Sequence, residues 1–265
     1  MAAEQTPKPR VGIPYRTQLE EVKGERAKFD NYVRAIEKAG GEAREISLRL
    51  SAKDLATKLK DLDAIVLTGS PADVHPALYK GKPHPKCSFS DPRREATDFA
   101  LLDHAFAERL PVLAICYGIQ SLNVYLKGSL IQHVSAQDPG AEVRTPIPHA
   151  ESEQQKTEFR HAIQIDQSTR LAKMAGALEA QVNSSHHQAI LEPGRKLKIV
   201  ARAPDGIVEA VEWTGDSNWV MGVQWHPERP THEKMGDALS EVLFRTFMQA
   251  TRAAVSTRTT TAARR

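Results

Sequence analysis

Two separated segments of this sequence contain residue types that could act together as a nucleophile, a base and an acid. Cys116 follows the short apolar run Val112–Ile115, and apolar residues recur with helical spacing after it. We therefore predict a thiol on a sharp turn between a strand and a helix, which would hold the side chain out of the packed sheet. The free N–H groups at the start of a helix favour the thiolate form of such a residue.

The best-placed base for this thiol is His226, in the segment VMGVQWHPE. It follows an apolar strand-like run, and active-site residues of open α/β sheets collect at such strand ends. Glu228 comes two residues later, and residues i and i+2 of an extended segment point the same way. A carboxylate there would fix the imidazole tautomer and stabilise the imidazolium, as in other nucleophile–base–acid triads. Taken singly, these residues also suit a buried structural cysteine and a solvated histidine.

Residues 183–189 (NSSHHQA) contain the adjacent pair His186 and His187. Histidine is a common metal ligand, but adjacent side chains diverge and no carboxylate lies at metal-ligand spacing in this segment. We therefore predict no metal site from this pair. A polar loop that lines a pocket suits the composition better.

The elements that would position these residues alternate between strand and helix in the first half of the chain. Strands are predicted at residues 11–14, 42–46, 64–67 and 112–115, and helices at 28–39, 51–60 and 94–110. This alternation is typical of an α/β fold with a doubly wound, mainly parallel, flavodoxin-like sheet flanked by helices.

The second half of the chain shows a different pattern. Residues 197–201 and 206–213 alternate apolar and polar side chains around a Pro-Asp-Gly turn, which predicts an antiparallel hairpin. A closing helix is predicted over 235–255. We expect a single domain over residues 1–255 and a disordered basic tail over 256–265.

Composition excludes several classes of protein. The 265 residues have a formal net charge of +3, and the tail at 256–265 alone holds three Arg and no acid. The remainder is near neutral, so we predict no nucleic-acid partner. The sequence shows neither a signal peptide nor an apolar run long enough to span a membrane. Only Cys87 and Cys116 are present, too few for a disulfide framework, so we expect a reducing, cytoplasmic setting and no membrane partner.

Several motifs together resemble a known superfamily. AICYGIQ around Cys116 and GVQWHPE around His226 are similar to the class I glutamine amidotransferase-like catalytic domain. GSPADVHPALY, VNSSHHQA and APDGIVEAVE resemble the γ-glutamyl-γ-aminobutyrate hydrolase group within it. The motifs occur in the family's order, from about Val11 to the closing helix. The resemblance implies the class I amidotransferase-like fold and a cysteine hydrolase that needs neither a cofactor nor a metal.

The resemblance also implies roles for individual residues. Cys116 would be the nucleophile, His226 the base, and Glu228 the acid that orients it. Backbone N–H groups would form the oxyanion hole, at Gly69, Ser70 and Tyr117. Four side chains would hold the glutamyl end of the substrate: Gln120, Ser185, His186 and His187.

Three positions depart from the pattern of the hydrolase group. Ala114 replaces a common Gly, Ser70 replaces the second Gly of a frequent pair, and Tyr117 stands where Arg is frequent. The expected reaction is hydrolysis of the amide bond of a small γ-glutamyl compound through a thioester, releasing glutamate and an amine. Two alternatives are a glutaminase subunit that delivers ammonia to a partner synthase, and a non-catalytic binding protein on the same scaffold. The oligomeric state, a homodimer included, is left open.

Overall fold

A computed structural model describes residues 7–134, 147–149, 159–215, 218–229 and 238–262. The strands are β1 (Arg10–Pro14), β2 (Glu42–Ile46), β3 (Ala64–Leu67), β4 (Val112–Ile115), β5 (Ser129–Ile131), β6 (Phe159–Ile165), β7 (Glu179–Ser184), β8 (Ala189–Glu192), β9 (Leu197–Arg202), β10 (Val208–Trp213) and β11 (Val220–Val223). The helices are α1 (Gln18–Lys23), α2 (Phe29–Lys38), α3 (Ala52–Leu59), α4 (Pro92–Glu108), α5 (Tyr117–Tyr125), α6 (Arg170–Ala175) and α7 (Ala238–Ala262).

Nine of these strands form one sheet, in the order β2-β1-β3-β4-β11-β10-β9-β6-β7. The five strands from β2 to β11 run parallel to one another. The strands from β10 to β7 continue the sheet with antiparallel pairings, and β9 and β10 form the predicted hairpin. The prediction of an α/β fold with a mainly parallel sheet and an antiparallel region in its second half is confirmed.

The apolar runs of the central strands follow from burial on both faces. In β3, Ala64 and Val66 pack into the layer that contains α2, α6 and α7, whereas Ile65 and Leu67 pack against α3, α4 and α5. All four side chains are fully buried. A strand covered by helices on both sides needs apolar residues at every position, which is why no alternation is visible in its sequence.

A buried arginine of α4 braces the carboxyl ends of β1 and β3. The Nε of Arg94 donates to the Oδ1 of Asp98 at 2.7 Å, and neither side chain is exposed. Its two terminal nitrogens donate to three carbonyls, those of Tyr15, Arg16 and Thr68, at 3.2, 3.0 and 2.5 Å. Arg94 therefore fixes the start of the loops that follow these strands, at the edge where ligands bind in open α/β sheets.

The C-terminal helix is longer than predicted. Helix α7 continues to Ala262, so the predicted disordered tail is corrected from 256 to 262, and residues 263–265 lie outside the described part of the chain. Hydroxyls in this segment donate to carbonyls four residues earlier, and Arg258 pairs with Asp63 at 2.8 Å. This long-range ion pair gives the polar tail a partner that local composition does not reveal. Over the described ranges, none of the helices is both long and apolar enough to cross a membrane.

Candidate active site

Cys116 occupies a single-residue turn between β4 and α5. Its backbone has φ 52° and ψ −105°, a region that side-chain-bearing residues rarely adopt. Strain of this kind persists where the surrounding structure holds it, often at functional sites. The predicted strand–turn–helix around the thiol is confirmed, and the thiol group lies at the N-terminus of α5.

Gly118 allows this turn to pack tightly against β3. A Cβ atom at Gly118 would lie 2.4 Å from the carbonyl oxygen of Leu67. Because a backbone oxygen of a central strand cannot move aside, a side chain at this position would push the first turn of α5 away from the sheet. The absence of a side chain at Gly118 thus fixes the position of Cys116 relative to the neighbouring strand end.

His226 is held through both its ring and its backbone. Its Nδ1 lies 2.8 Å from the Oε1 of Glu228. The side chain of Asn183, at the end of β7, pairs with the backbone of His226: Nδ2 donates to the carbonyl at 2.9 Å, and Oδ1 accepts from the N–H at 2.8 Å. With Nδ1 turned to Glu228, Nε2 is the nitrogen available for proton exchange.

The electrostatics of this group favour a charged imidazolium. Burial by itself would lower the pKa of His226, but the Glu228 carboxylate and the Cys116 thiolate together raise that pKa from 6.5 to about 9. Burial would raise the pKa of Glu228, and the neighbouring His226 holds it below its ordinary value instead. A cysteine beside a histidine that is paired with a carboxylate can support nucleophilic attack followed by proton transfer.

The loop after β3 lies directly against Cys116 and His226. A Cβ atom on Gly69 would be 2.8 Å from the Cε1 of His226 and 3.4 Å from the Cβ of Cys116. The N–H of Gly69 donates to the Oη of Tyr32 at 2.9 Å, so this predicted oxyanion donor is already bonded within the protein. Tyr32 therefore positions the loop, a role that its helical apolar spacing did not reveal.

The other two predicted oxyanion donors are the backbone N–H groups of Ser70 and Tyr117. Ser70 follows Gly69 in the same loop, and its side-chain oxygen accepts the N–H of Ala72 at 3.0 Å. Tyr117 is the first residue of α5, so its N–H has no partner within the helix. The oxyanion-hole role of these two N–H groups stays a prediction.

The side chain of Gln120 links α5 to the segment between β7 and β8. The side-chain nitrogen of Gln120 donates to the carbonyl of Gln188 at 2.9 Å and lies 3.3 Å from the Oε1 of Gln224. Both contacts use its donor, so the amide oxygen is the atom of Gln120 left for a ligand.

The side chains of the predicted substrate loop point in different directions. The Nε2 of His187 lies 2.8 Å from the Oδ1 of Asp73, in the loop that follows β3, and Ser185 is half-buried nearby in the chain. The ring of His186 instead lies in the interior, with its Nε2 3.4 Å from the Oε1 of Glu209. The prediction that His186 contacts substrate is corrected, because adjacent side chains diverge and this one turns to the core.

Sequence reasoning missed the residues that position the site. Tyr32, Asp73 and Asn183 each hold a loop or a catalytic backbone through hydrogen bonds that span tens of residues. Asp73 and Asn183 stand inside the motifs GSPADVHPALY and VNSSHHQA, but the motifs do not show what these two side chains bond. Tyr32 has no local signal beyond its helical spacing.

Comparison with known proteins shows which family this chain belongs to. Residues 9–228 match the family described as Peptidase C26. The chain is 35% identical over 224 residues to a γ-glutamyl-γ-aminobutyrate hydrolase of Escherichia coli strain K12, a match covering 83% of this chain and 85% of that protein. It is 33% identical over 231 residues to a glutamine amidotransferase-like protein of Rickettsia prowazekii, covering 75% of this chain and 81% of the other.

Among solved structures, the fold resembles that of a GMP synthase subunit from Thermoplasma acidophilum. The TM-score is 0.65 with 12% sequence identity, and the match covers 96% of this chain and 100% of the other. At this identity the likeness concerns the fold. The family match and the 35% identical relative both extend over most of the chain. The family match includes the segments of Cys116, His226 and Glu228. The chain therefore belongs to the Peptidase C26 family of glutamine amidotransferase-like hydrolases.

Proposed function

We propose that this chain hydrolyses the γ-glutamyl amide bond of small compounds of the γ-glutamyl-γ-aminobutyrate kind, releasing glutamate and an amine. The observation that carries the proposal is the position of Cys116 on a strained turn, next to a histidine that is paired with a buried carboxylate. Relatives named γ-glutamyl-γ-aminobutyrate hydrolase support the substrate class.

The proposed reaction has two halves. The Cys116 thiolate attacks the γ-carbonyl, and the N–H groups of Ser70 and Tyr117 stabilise the oxyanion, each worth about 3–4 kcal/mol by analogy with other such donors. His226 then gives its proton to the departing amine, which leaves a thioester on Cys116. Water, deprotonated by His226, attacks the thioester; glutamate departs and the imidazolium–thiolate pair returns. Glu228 orients His226 and keeps its charge stabilised throughout.

The amine end of the substrate is proposed to be read loosely. The side chain of Tyr117 is 1% exposed and lies beneath the guanidinium of Arg94, whose central carbon is 4.8 Å from the ring centroid. It is therefore not placed to contact a carboxylate on the leaving amine, unlike the Arg that is frequent at this position in the hydrolase group. The glutamyl end would be held by Gln120, Ser185 and His187.

The test compares glutamate release from γ-glutamyl-γ-aminobutyrate, from a γ-glutamyl alkylamine without a distal carboxylate, and from glutamine. We expect Cys116→Ala to be inactive and Cys87→Ala, a matched loss of a thiol from a half-buried loop, to retain activity. The alkylamine should be used at least as well as the carboxylate-bearing substrate. A strong preference for the carboxylate would refute the argument from Tyr117.

The same assay separates the alternatives. Activity on glutamine alone that rises with an added synthase would support an ammonia-delivering role. No turnover of any substrate, together with a Cys116 that fails to react with iodoacetamide, would support a non-catalytic binding protein. Full activity of Cys116→Ala would exclude the proposed mechanism.

A further inference from the structure

Four buried side chains that the proposed reaction does not use meet behind the β7–β8 connection. We call them the histidine cluster: His149, His161, His186 and Glu209. They come from the short segment at 147–149, from β6, from the β7–β8 connection and from β10. Their exposed fractions are between 0 and 8%, so these polar groups depend on one another or on something bound between them.

The atoms of the histidine cluster converge on one point. The Oε1 of Glu209 lies 3.5 Å from the Nδ1 of His149, 3.3 Å from the Nε2 of His161 and 3.4 Å from the Nε2 of His186. The corners of a zinc tetrahedron with ordinary bond lengths are about 3.3–3.4 Å apart. All four atoms lie within 4.8 Å of one another, so the widest pair would close by at most about 1.4 Å around an ion.

The second nitrogen of each ring is already occupied. The Nε2 of His149 lies 2.8 Å from a carboxylate oxygen of Asp205. The Nδ1 of His161 lies 3.0 Å from the carbonyl of Ala162, and the Nδ1 of His186 lies 3.0 Å from the carbonyl of Gln188. These acceptors require the proton on the outer nitrogen of each neutral ring, which leaves a lone pair on the inner nitrogen. The inner Nδ1 of His149 also lies 3.5 Å from the Oγ of Ser184, which donates to the His149 carbonyl at 2.9 Å. In metal-bound histidines, too, the ring nitrogen that does not bind the metal usually donates to a carboxylate or a backbone carbonyl.

The inner atoms lack adequate hydrogen bonds. In the described part of the chain, the Nε2 atoms of His161 and His186 and both carboxylate oxygens of Glu209 have no hydrogen-bond partner of acceptable geometry. The separations of 3.3–3.5 Å between Glu209 and the three rings are therefore ion-pair distances without hydrogen-bond geometry for Nε2 of His161 and His186. A buried carboxylate and buried imidazoles left in this way would be costly unless a cation joined them.

We propose that the histidine cluster binds one zinc ion in a closed, structural site. Three imidazole nitrogens and one carboxylate oxygen are ligands that zinc prefers, and four protein ligands leave no open position for catalysis. The cluster joins elements that are far apart in sequence, so the ion would fasten the β7–β8 connection to the sheet. Asn183, three residues before His186, holds the backbone of the catalytic His226.

The adjacent pair His186–His187 gives no local signal of such a site. The pair does not bind an ion jointly, because His187 turns to Asp73 while His186 joins three residues that are distant in sequence. The missing carboxylate is Glu209, on a strand 23 positions later in the chain.

The test begins with wild-type protein made without a histidine tag. Elemental analysis should find about one zinc per chain. Protein stripped with a chelator should take up one equivalent of added zinc, and its melting temperature should rise by roughly 5–10 °C when free zinc is 100 times the dissociation constant. Cobalt substituted for zinc should give the visible absorption of a tetrahedral site. None of these readouts depends on enzymatic activity.

Variants show whether the ion is at this site. Glu209→Gln, which is nearly isosteric, should lose the bound zinc, and Asp205→Asn should weaken zinc binding by about 10–100-fold. Two controls should keep one zinc: His104→Gln, a histidine on α4 outside the cluster, and Cys116→Ala, which excludes the catalytic thiol as the ligand. Wild-type protein that holds no zinc and takes up none would overturn the proposal, as would unchanged zinc content in Glu209→Gln. The zinc content and zinc uptake of the wild-type protein test the proposal even if a variant fails to fold.

Discussion

Replacement of Asn183 by Leu tests whether the catalytic histidine depends on a side chain that does no chemistry itself. The amide of Asn183 pairs with both the N–H and the carbonyl of His226, at 2.8 and 2.9 Å. Both residues are buried, with exposed fractions of 5 and 6%. Leu has a similar volume but can neither donate nor accept. The variant would leave the N–H of His226 without its partner, and its carbonyl would keep only the N–H of Arg229, at 3.4 Å.

The size of the effect follows from these two losses. A buried polar group left unpaired costs about 1–3 kcal/mol, and a lost hydrogen bond to a group that keeps another partner costs about 0.5–1.5 kcal/mol, so the sum is roughly 2–4 kcal/mol. For a chain of this length, that corresponds to a fall in melting temperature of roughly 5–15 °C. The catalytic effect is separate, because a displacement of the base by about 1 Å can lower the rate about 100-fold.

The assay measures the melting temperature, kcat and KM at several pH values, since a positioning role should lower kcat more than it changes KM. Gln181→Leu is the matched control, because it makes the same amide-to-apolar change on the same strand, at an exposed position. It should resemble wild type in all three quantities. If Asn183→Leu kept the wild-type kcat and melting temperature, the argument that Asn183 clamps His226 would fail.

Three further predictions follow from other contacts. Gly118→Ala should fail to form an active enzyme, because its Cβ would lie 2.4 Å from the Leu67 carbonyl oxygen; circular dichroism and labelling of Cys116 would check this, and a soluble, fully reactive variant would contradict it. Arg94→Met should lower the free energy of unfolding by about 3–5 kcal/mol, because Asp98 stays buried without its cation, and the double variant with Asp98→Leu should recover most of the loss in denaturant titrations. The raised pKa of His226 adds stability that is fully present below pH 6.5 and lost as the pH rises through about 9, so unfolding free energies should fall across this range, and the fall should be weaker in Glu228→Gln.

The elements around Cys116 could be predicted because their signals are local. A fully apolar four-residue run, a residue at a turn and helical spacing after it occupy fewer than 20 consecutive positions, and the structure has a strand, a strained turn and a helix there. The parallel part of the sheet was predictable for the same reason, since burial on both faces makes each central strand uniformly apolar. The hairpin of β9 and β10 was marked by its turn.

Elements whose stability depends on distant partners were not predictable. Strand β7 has the sequence EAQVNS, with exposed and polar residues, and it forms through six backbone pairings with β6. The end of α7 is likewise polar, and Arg258 finds its partner at Asp63, far away in sequence. Local composition gives no measure of such pairings, so the first segment was not assigned as a strand and the second was expected to be disordered.

The two adjacent histidines of the β7–β8 connection show how a single turn can serve two environments. His187 reaches the loop after β3 through Asp73, and His186 reaches β10 through Glu209. The connection is therefore held by the loop after β3 and by β10, while Gln120 donates to the carbonyl of Gln188, the next residue along the chain. A loop that is fixed at three points loses little conformational entropy when a ligand binds, which is the advantage of a preorganised site. Zinc in the histidine cluster would supply the strongest of these attachments. Its removal would then weaken substrate binding, although the ion does not contact the substrate.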